Sequence, residues 1–348
     1  MVAMVCESVF GWDLGGAHVK AVLLKPGRTV EHIDQRPCPL WQGIEELDTA
    51  LERILDALPV TPRRHAVTMT GELVDAFANR AAGVRALVDG INRRLRDREV
   101  YIYGGRAGFL TPAGSIARPD DVASANWMAS ATLIAMHLRA GILIDIGSTT
   151  TDIIPFADGR LQVQGYRDHE RMQRGELVYS GVVRTPVMAI TRTVPFAGTA
   201  SPLMAEHFAT TADVYRILGT LPEQADSMPA ADERAKTPQA SAVRLARMLG
   251  MDAEGVAFDV WIDVARYLRE CQLGALLEVC RRMLDDLVHD PAAPIVGAGV
   301  GRFLVRELAA ELGRPYVDFG RFFRSAGEYR FSVADCAPAA AVACLLDA

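Results

Sequence analysis

A chain of 348 residues, half of them apolar and 23% charged, is long for one compact core and suits two folded domains of ordinary size. A net charge of −6, with no basic stripe and no aromatic-basic alternation, leaves no electrostatic footprint for nucleic acid. The longest apolar segments, near Ile142 and over residues 337–346, run to only about ten residues, and Glu7 and Asp13 interrupt the place of a secretory leader, so a cytoplasmic protein with no membrane partner is expected.

In chain order, residues 8–12 read as a buried strand that ends in Gly11-Trp12-Asp13-Leu14-Gly15-Gly16-Ala17-His18-Val19-Lys20, and residues 19–24 form a second apolar run. A strand over 30–36, a helix over 42–57, a strand over 66–69, a helix over 84–97, a strand over 100–103 and a helix over 120–138 follow. The opening phrase then returns 132 residues on, as Leu143-Ile144-Asp145-Ile146-Gly147-Ser148-Thr149-Thr150-Thr151-Asp152. A second strand over 151–156, a turn at 157–160 and a strand over 161–164 complete that copy.

Residues 166–200 read as irregular. Helices are expected over 211–218, 239–249 and 254–287, the last broken near Gly274. The loop 220–236, rich in Pro, Ala, Asp and Glu, is expected to be a mobile surface segment. A short strand at 294–296 runs into Gly297-Ala298-Gly299-Val300-Gly301 and a helix over 302–313, and the apolar terminal helix over 338–346 must be buried. Two copies of one mixed α/β domain fit this order. The first spans 1–138, with the terminal helix packing back on it. The second spans 139–337, with a helical insertion over 205–290.

Each hairpin bends at Asp-x-Gly. Glycine lets backbone N–H groups approach an anion closely, hydroxyls donate further hydrogen bonds, and a carboxylate at a strand end can hold a hydrated magnesium ion bridging phosphate oxygens. One such bend is an ordinary turn; written twice, it reads as a pair of phosphate grips. The only lysines are Lys20, Lys25 and Lys236, so a lysine in the first hairpin points to a compact charge reaching phosphate, whereas Lys25 beside Pro26-Gly27 reads as a solvated turn. The Gly297–Gly301 phrase satisfies Gly-x-Gly-x-Gly but not the dinucleotide fingerprint, and two readings stay open: an adenosine or substrate-side loop, or tight strand-to-helix packing. Cys6, Cys38, Cys271, Cys280, Cys336 and Cys344 contain no C-x-x-C pair and read mostly as buried thiols, and His137, His169 and His289 lack metal-ligand spacing.

With these motifs, the chain resembles the actin, hexokinase and heat-shock ATPase superfamily, whose fold pairs two ribonuclease-H-like domains around a central phosphate-binding cleft. The phrases Thr68-Met69-Thr70-Gly71-Glu72-Leu73, Ala125-Asn126-Trp127 and Arg174-Gly175-Glu176-Leu177 narrow the likeness to the hydantoinase/oxoprolinase-related branch of tetrahydromethanopterin-linked one-carbon metabolism. Within it the chain is similar to the enzymes that make methanofuran-type coenzymes. It departs from the archaeal pattern at Ala17-His18, where Ala-Asn is expected.

The resemblance implies a transferase that joins an aminomethylfuran-methyl diphosphate to the phenol of gamma-glutamyltyramine and releases diphosphate. It implies Mg2+, or Mn2+, held by Asp13 and Asp145, directly or through water. Lys20, Gly15, Gly16, His18, Gly147, Ser148, Thr149, Thr150, Gly297 and Gly299 are then expected around phosphate, with Asp152 orienting Lys20 or a metal-bound water. Glu72 and Glu176 are the candidate bases, Glu72 preferred; a glutamate at a helix start equally serves as a cap. Asn126, Arg174, Glu176 and Arg184 are expected at the substrate, the arginines facing phosphate or the gamma-glutamyl carboxylate. The expected partners are small diphosphate and phenol substrates, with a homodimer left open. Two other functions stay open: an ATP-dependent small-molecule kinase or hydantoinase/oxoprolinase-like enzyme, and a nucleotide-gated binding protein.

Overall fold

The computed structural model describes residues 7–58, 62–288 and 290–348, so Cys6 and His289 lie outside the described residues. The chain divides into two compact units. One comprises the chain up to Arg139 with Asp158–Leu161 and Phe319–Ala348, the other Ala140–Ala157 with Gln162–Asp318.

The first unit is built on a sheet whose strands lie in the order Arg324–Ser325, Thr29–Pro37, His18–Lys25, Val9–Leu14, Arg64–Met69, Glu99–Tyr103, Phe109–Leu110. Val9–Leu14 is central and buried throughout, as its apolar run requires; it pairs antiparallel with His18–Lys25 and parallel with Arg64–Met69. Leu47, Ala50, Leu51 and Ile54 on the helix Glu45–Asp56, and Val84, Leu87, Val88 and Ile91 on Arg80–Arg94, repeat at i, i+3, i+4, i+7 and enter one core with the sheet. The terminal helix Ala337–Leu345 is nearly all small residues and lies tight on the central strand. A Cβ at Gly11 would sit 1.9 Å from the Ala339 carbonyl oxygen, so only glycine fits there.

Beneath this packing lies a polar pair. The Trp12 indole N–H donates to His65 Nδ1 at 3.1 Å, which makes Nε2 the protonated nitrogen of a neutral ring, and Nε2–H donates to the Pro62 carbonyl at 2.9 Å. Burial lowers the His65 pKa to about 4. A second proton would have to go on Nδ1, donor against donor with the indole.

The second unit repeats the inner plan, with strands in the order Leu177–Val178, Thr151–Ala157, Ala140–Ile146, Ile295–Ala298, Tyr316–Asp318. As in the first unit, two antiparallel pairings are followed by two parallel ones. Between Leu177–Val178 and Ile295–Ala298 comes a helical layer of Thr211–Ile217, Pro238–Met248 and Phe258–Leu287. The last half of Phe258–Leu287 covers the sheet with Leu276, Cys280 and Leu284, and its first half, through Trp261 and Leu268, shares a smaller core with Leu245.

Four sequence expectations change. Residues 120–138 form two helices, Pro119–Val122 and Asn126–Ala135, because Ser124 between them adopts φ +51°. Phe258–Leu287 is one unbroken helix of 30 residues: buried Leu273, Leu276 and Leu277 hold it on both sides of Gly274, whose own side faces open space. The stretch 166–200 contains the helix Asp168–Arg174 and a hairpin of Thr193–Phe196 with Thr199–Pro202. The loop 220–236 is tied down, Asp226 by Arg216 and Lys236, and Asp232 by buried Arg244, which also holds Asp213 at 2.7 Å. Among the described residues no helix is long and apolar enough to cross a membrane. None of the described cysteines is in a disulfide; Cys38, Cys280 and Cys336 are buried.

Gly274→Ala should stabilise the protein by about 1 kcal/mol, the helix-propensity difference at an uncrowded interior position; an unchanged or lower urea midpoint would contradict the straight helix. His65 makes a pH-dependent contribution with a definite sign. The unfolded histidine takes up a proton near pH 6.5 and the folded one only near 4, so stability should fall as pH drops through that window, by up to about 3 kcal/mol. The imidazole resonances should still report a neutral ring at pH 5.5, and titration at the ordinary value would refute this.

Candidate functional site

In the first hairpin Asp13 lies opposite Lys20 and Leu14 opposite Val19, and the turn closes when Gly15 N–H donates to the His18 carbonyl at 3.0 Å. Directly opposite residues on neighbouring strands share a face, so Gln35, Lys20, Asp13 and Thr68 form one polar row across the sheet. The Lys20 ammonium donates to the Asp335 carbonyl at 2.8 Å. Asp13, His18 and Gln35 are buried and Thr68 is fully so; the Thr68 hydroxyl and Gln35 Oε1 have no hydrogen-bond partner among the described residues. Burial pushes the neighbouring Cys336 thiol pKa up, with Lys20 acting against it. Gln35 went unnoticed in the sequence and Thr68 was read only as part of a family phrase, because only the register brings them beside Asp13 and Lys20.

Past the strand end, the N–H groups of Thr70 and Gly71 both donate to the Leu14 carbonyl, at 3.0 and 2.9 Å. A Cβ at Gly71 would come within 3.1 Å of Gly15. Glu72 follows and is completely buried. Its Oε1 accepts the Ser124 hydroxyl at 2.8 Å and lies 3.5 Å from Arg80 Nε. Asn126, half-buried, opens the helix just beyond Ser124.

The second hairpin repeats the first. Asp145 lies opposite Asp152, and Gly147 N–H donates to the Thr150 carbonyl at 2.9 Å, the counterpart of Gly15 and His18. Where the first hairpin has Lys20, Asp152 pairs with buried Arg171 at 2.8 Å; desolvation raises its pKa and Arg171 counters. Asp152, expected to orient Lys20 or a metal-bound water, has Arg171 as its ion-pair partner in its own unit. Glu176 is corrected: its carboxylate accepts the N–H groups of Gln164 at 2.7 Å and Gly165 at 3.1 Å, and its carbonyl accepts Arg171 at 2.9 Å, so it braces backbone rather than meeting substrate. Arg174 is exposed and bonded to the Gln164 side chain.

Arg184, by contrast, is brought to the turn. Its N–H and that of Val183 donate to the Ser148 carbonyl at 2.8 and 3.1 Å, and Val182 N–H donates to Gly147. The residues 180–184 thus form a shelf behind Ser148, Thr149 and Thr150, which are half-buried. A Cβ at Gly181 would lie 2.5 Å from the Ser148 carbonyl. Gln272 on the long helix fixes the shelf by donating to Ser180 Oγ at 2.7 Å and the Gly181 carbonyl at 3.0 Å, and it accepts the Tyr215 hydroxyl at 2.5 Å. The sequence showed Gln272 only as one more residue of a core helix.

The glycine phrase completes this unit. Ala298 lies opposite Asp145, and Gly301 N–H donates to the Ile146 carbonyl at 2.8 Å. The match with Thr68 opposite Asp13, and with Gly71 donating to Leu14, makes Thr68–Gly71 and Ala298–Gly301 the same element of the two halves. Gly299 has φ +79°, and a Cβ there would sit 2.3 Å from Asp145 Oδ1 and 2.2 Å from the Ile146 carbonyl. Gly297 is corrected: a Cβ there would strike the Tyr316 ring at 2.6 Å, so this glycine serves strand packing.

Among the described residues no group of three or more His, Cys, Asp or Glu could hold a metal. A half-exposed carboxylate beside hydroxyls and backbone N–H groups suits magnesium or manganese in another mode, in which the ion keeps most of its waters and substrate phosphates complete its shell. Asp145, with Ser148 and Thr149 at the following turn, fits that mode. Buried Asp13, with Lys20 opposite, fits it less directly.

The profile of the hydantoinase/oxoprolinase family matches residues 63–338. The chain is similar to the (4-{4-[2-(gamma-L-glutamylamino)ethyl]phenoxymethyl}furan-2-yl)methanamine synthase of Methanocaldococcus jannaschii, 30% identical over 306 residues that cover 87% of this chain and 89% of that protein. It is also similar to the synthase of the same name from Methanococcus vannielii, 29% identical over 171 residues, 49% of this chain and 75% of the relative. Among solved structures, nucleotide-free acetone carboxylase shares the fold with a TM-score of 0.58 at 10% identity, over 88% of this chain and 68% of that one. The α/β units with their shared strand order are those of the actin-like ATPase fold.

Gly299→Ala should destabilise the protein by about 3 kcal/mol, from the left-handed backbone plus the collision at Asp145. Gly198, at φ +78° with open space around it, is the control: its alanine variant should lose only about 1 kcal/mol. Equal urea midpoints for the two variants would refute the close approach at Asp145.

Proposed function

The chain belongs to the hydantoinase/oxoprolinase family, and on that footing we propose that it joins an aminomethylfuran-methyl diphosphate to the phenol of gamma-glutamyltyramine, releasing diphosphate. Both relatives are named synthases, which supports an enzyme acting on small molecules. The observation that carries the reading is the likeness over nearly the whole of one synthase, whose named product contains a phenoxymethyl bond to a furan. Making that bond requires the phenol oxygen to attack the furan CH2 carbon. The carbon–oxygen bond to diphosphate breaks, its electron pair leaves with the diphosphate, and the phenol proton passes to a base.

In this proposal the Ser148-Thr149-Thr150 turn, backed by the shelf at 180–184, receives diphosphate oxygens through hydroxyls and backbone N–H groups. Arg184, whose backbone N–H binds the Ser148 carbonyl of the same turn, is proposed to supply a guanidinium to the diphosphate. Magnesium, when bound at Asp145, neutralises charge on the leaving group. In the first unit Gly16, His18 and Lys20 are the proposed corresponding anion contacts, the Gly15 N–H being engaged by the His18 carbonyl. Glu72 is the proposed base. It is buried, so the half-buried Ser124 hydroxyl that donates to it relays the proton from a phenol it does not touch. Asn126, two residues after Ser124, is the proposed substrate hydrogen-bonding group.

The protein incubated with magnesium and both substrates should release diphosphate only when the phenol is present, and Asp145→Asn should lower kcat by about 10²-fold or more with an unchanged circular-dichroism spectrum. Hydrolysis of ATP without the phenol, with no ether formed, would overturn the synthase reading. Full activity in the Asn variant would remove Asp145 from the metal site.

A further inference from the structure

The first unit contains a cavity of about 320 Å3 that the proposed reaction leaves unused. It opens at the far end of the strand His18–Lys25, about 16 Å along the strand from Lys20 at roughly 3.3 Å per residue. Leu24, Leu133, Met136 and Ala343 make its apolar walls, and Lys25, Arg28, His137, Cys344 and Asp347 its polar lining. Met136 is 56% exposed, high for so large an apolar side chain.

The charges around the cavity are mostly accounted for. Lys25 pairs with Glu31, and Asp347 pairs with Arg64. His137 donates from Nδ1 to the Leu133 carbonyl at 2.7 Å, leaving Nε2 as an acceptor. The Arg28 side chain is half-buried and forms no hydrogen bond or ion pair among the described residues. Its charge is felt across the cavity by Cys344, whose thiol pKa burial raises and Arg28 draws back.

Arg28 is also held in a costly backbone state. The turn between Lys25 and Thr29 has positive φ at two successive residues, +77° at Gly27 and +60° at Arg28. Glycine or asparagine would sit at the second position with little strain, while arginine carries about 1 kcal/mol or more of it. Such strain persists where the side chain it presents is used.

We propose that this cavity binds an amphipathic small molecule, whose one anionic group, a carboxylate or sulfonate, pairs with Arg28 and whose apolar body lies between Leu133, Met136 and Ala343. The volume suits a ligand of one or two rings, and a guanidinium without an ion pair among the described residues, with Asp347 of the lining taken by Arg64, favours an anionic head over a neutral or cationic one.

The probe is 1-anilinonaphthalene-8-sulfonate, an apolar anion, with neutral N-phenyl-1-naphthylamine as its uncharged counterpart, titrated into the native full-length protein by fluorescence. The sulfonate should bind with one-to-one stoichiometry, and Arg28→Gln should weaken it about tenfold while changing the neutral amine less than twofold. Arg28→Gly should lose the sulfonate to the same degree yet raise the urea midpoint, because it relieves the left-handed arginine. Leu133→Trp should fill the cavity and abolish both probes; if that variant does not fold, Met136→Trp serves instead. Unchanged sulfonate affinity in Arg28→Gln, binding that survives the tryptophan, or no binding by the parent protein would each overturn the site.

Discussion

The carbonyl at the end of each central strand is the point on which the candidate site depends. Leu14 in one unit and Ile146 in the other accept an N–H from a glycine arriving on the neighbouring parallel strand, Gly71 or Gly301. That bond draws two chain turns close together: a Cβ at Gly71 would press on Gly15, and one at Gly299 would strike Asp145. The glycines are therefore needed for a close backbone crossing first. Exposing N–H groups to an anion is a consequence of the same crossing.

On this shared frame the halves have diverged where chemistry would differ. Across from the strand-end aspartate, the first unit carries Lys20, bound to the Asp335 carbonyl, and the second carries Asp152, neutralised by buried Arg171. Beside the aspartate, the first unit has Thr68 and the second Ala298. The first sheet thus presents a buried polar row. The second presents one half-exposed carboxylate, a hydroxyl turn and the Arg184 backbone, stiffened by Gln272 from the long helix. The helical layer has a positional role as well as a packing one, because Gln272 lies on the part of the long helix that covers the sheet.

Apolar period and turn chemistry in the sequence were enough for the α/β class, the repeated hairpin and most elements, since buried strands and amphipathic helices announce themselves locally. Several of the misreadings were cases of tertiary contacts overruling local signals. Gly274 promised a break, and buried leucines on either side prevented it; the polar loop 220–236 looked loose, and Arg216 and Arg244 hold it. Glu176 looked like a chemical group because it follows Arg174-Gly175. Its carboxylate is taken by the N–H groups of Gln164 and Gly165, a partnership that no spacing in the sequence suggests.

By itself, then, the sequence determined that two acidic glycine bends exist, that each sits at the end of a buried strand, and that the chain resembles one family. Tertiary structure decided which polar residues join them. Thr68 and Gln35 enter the first row only through strand register, Arg171 pairs with Asp152, and Thr68–Gly71 proves to be the partner element of Ala298–Gly301. The physical reason is that hairpins and helices are specified by neighbours in the chain. The row of side chains across a sheet is specified by hydrogen bonds between strands far apart in it, and a change of one residue in that register would have turned every one of them to the other face.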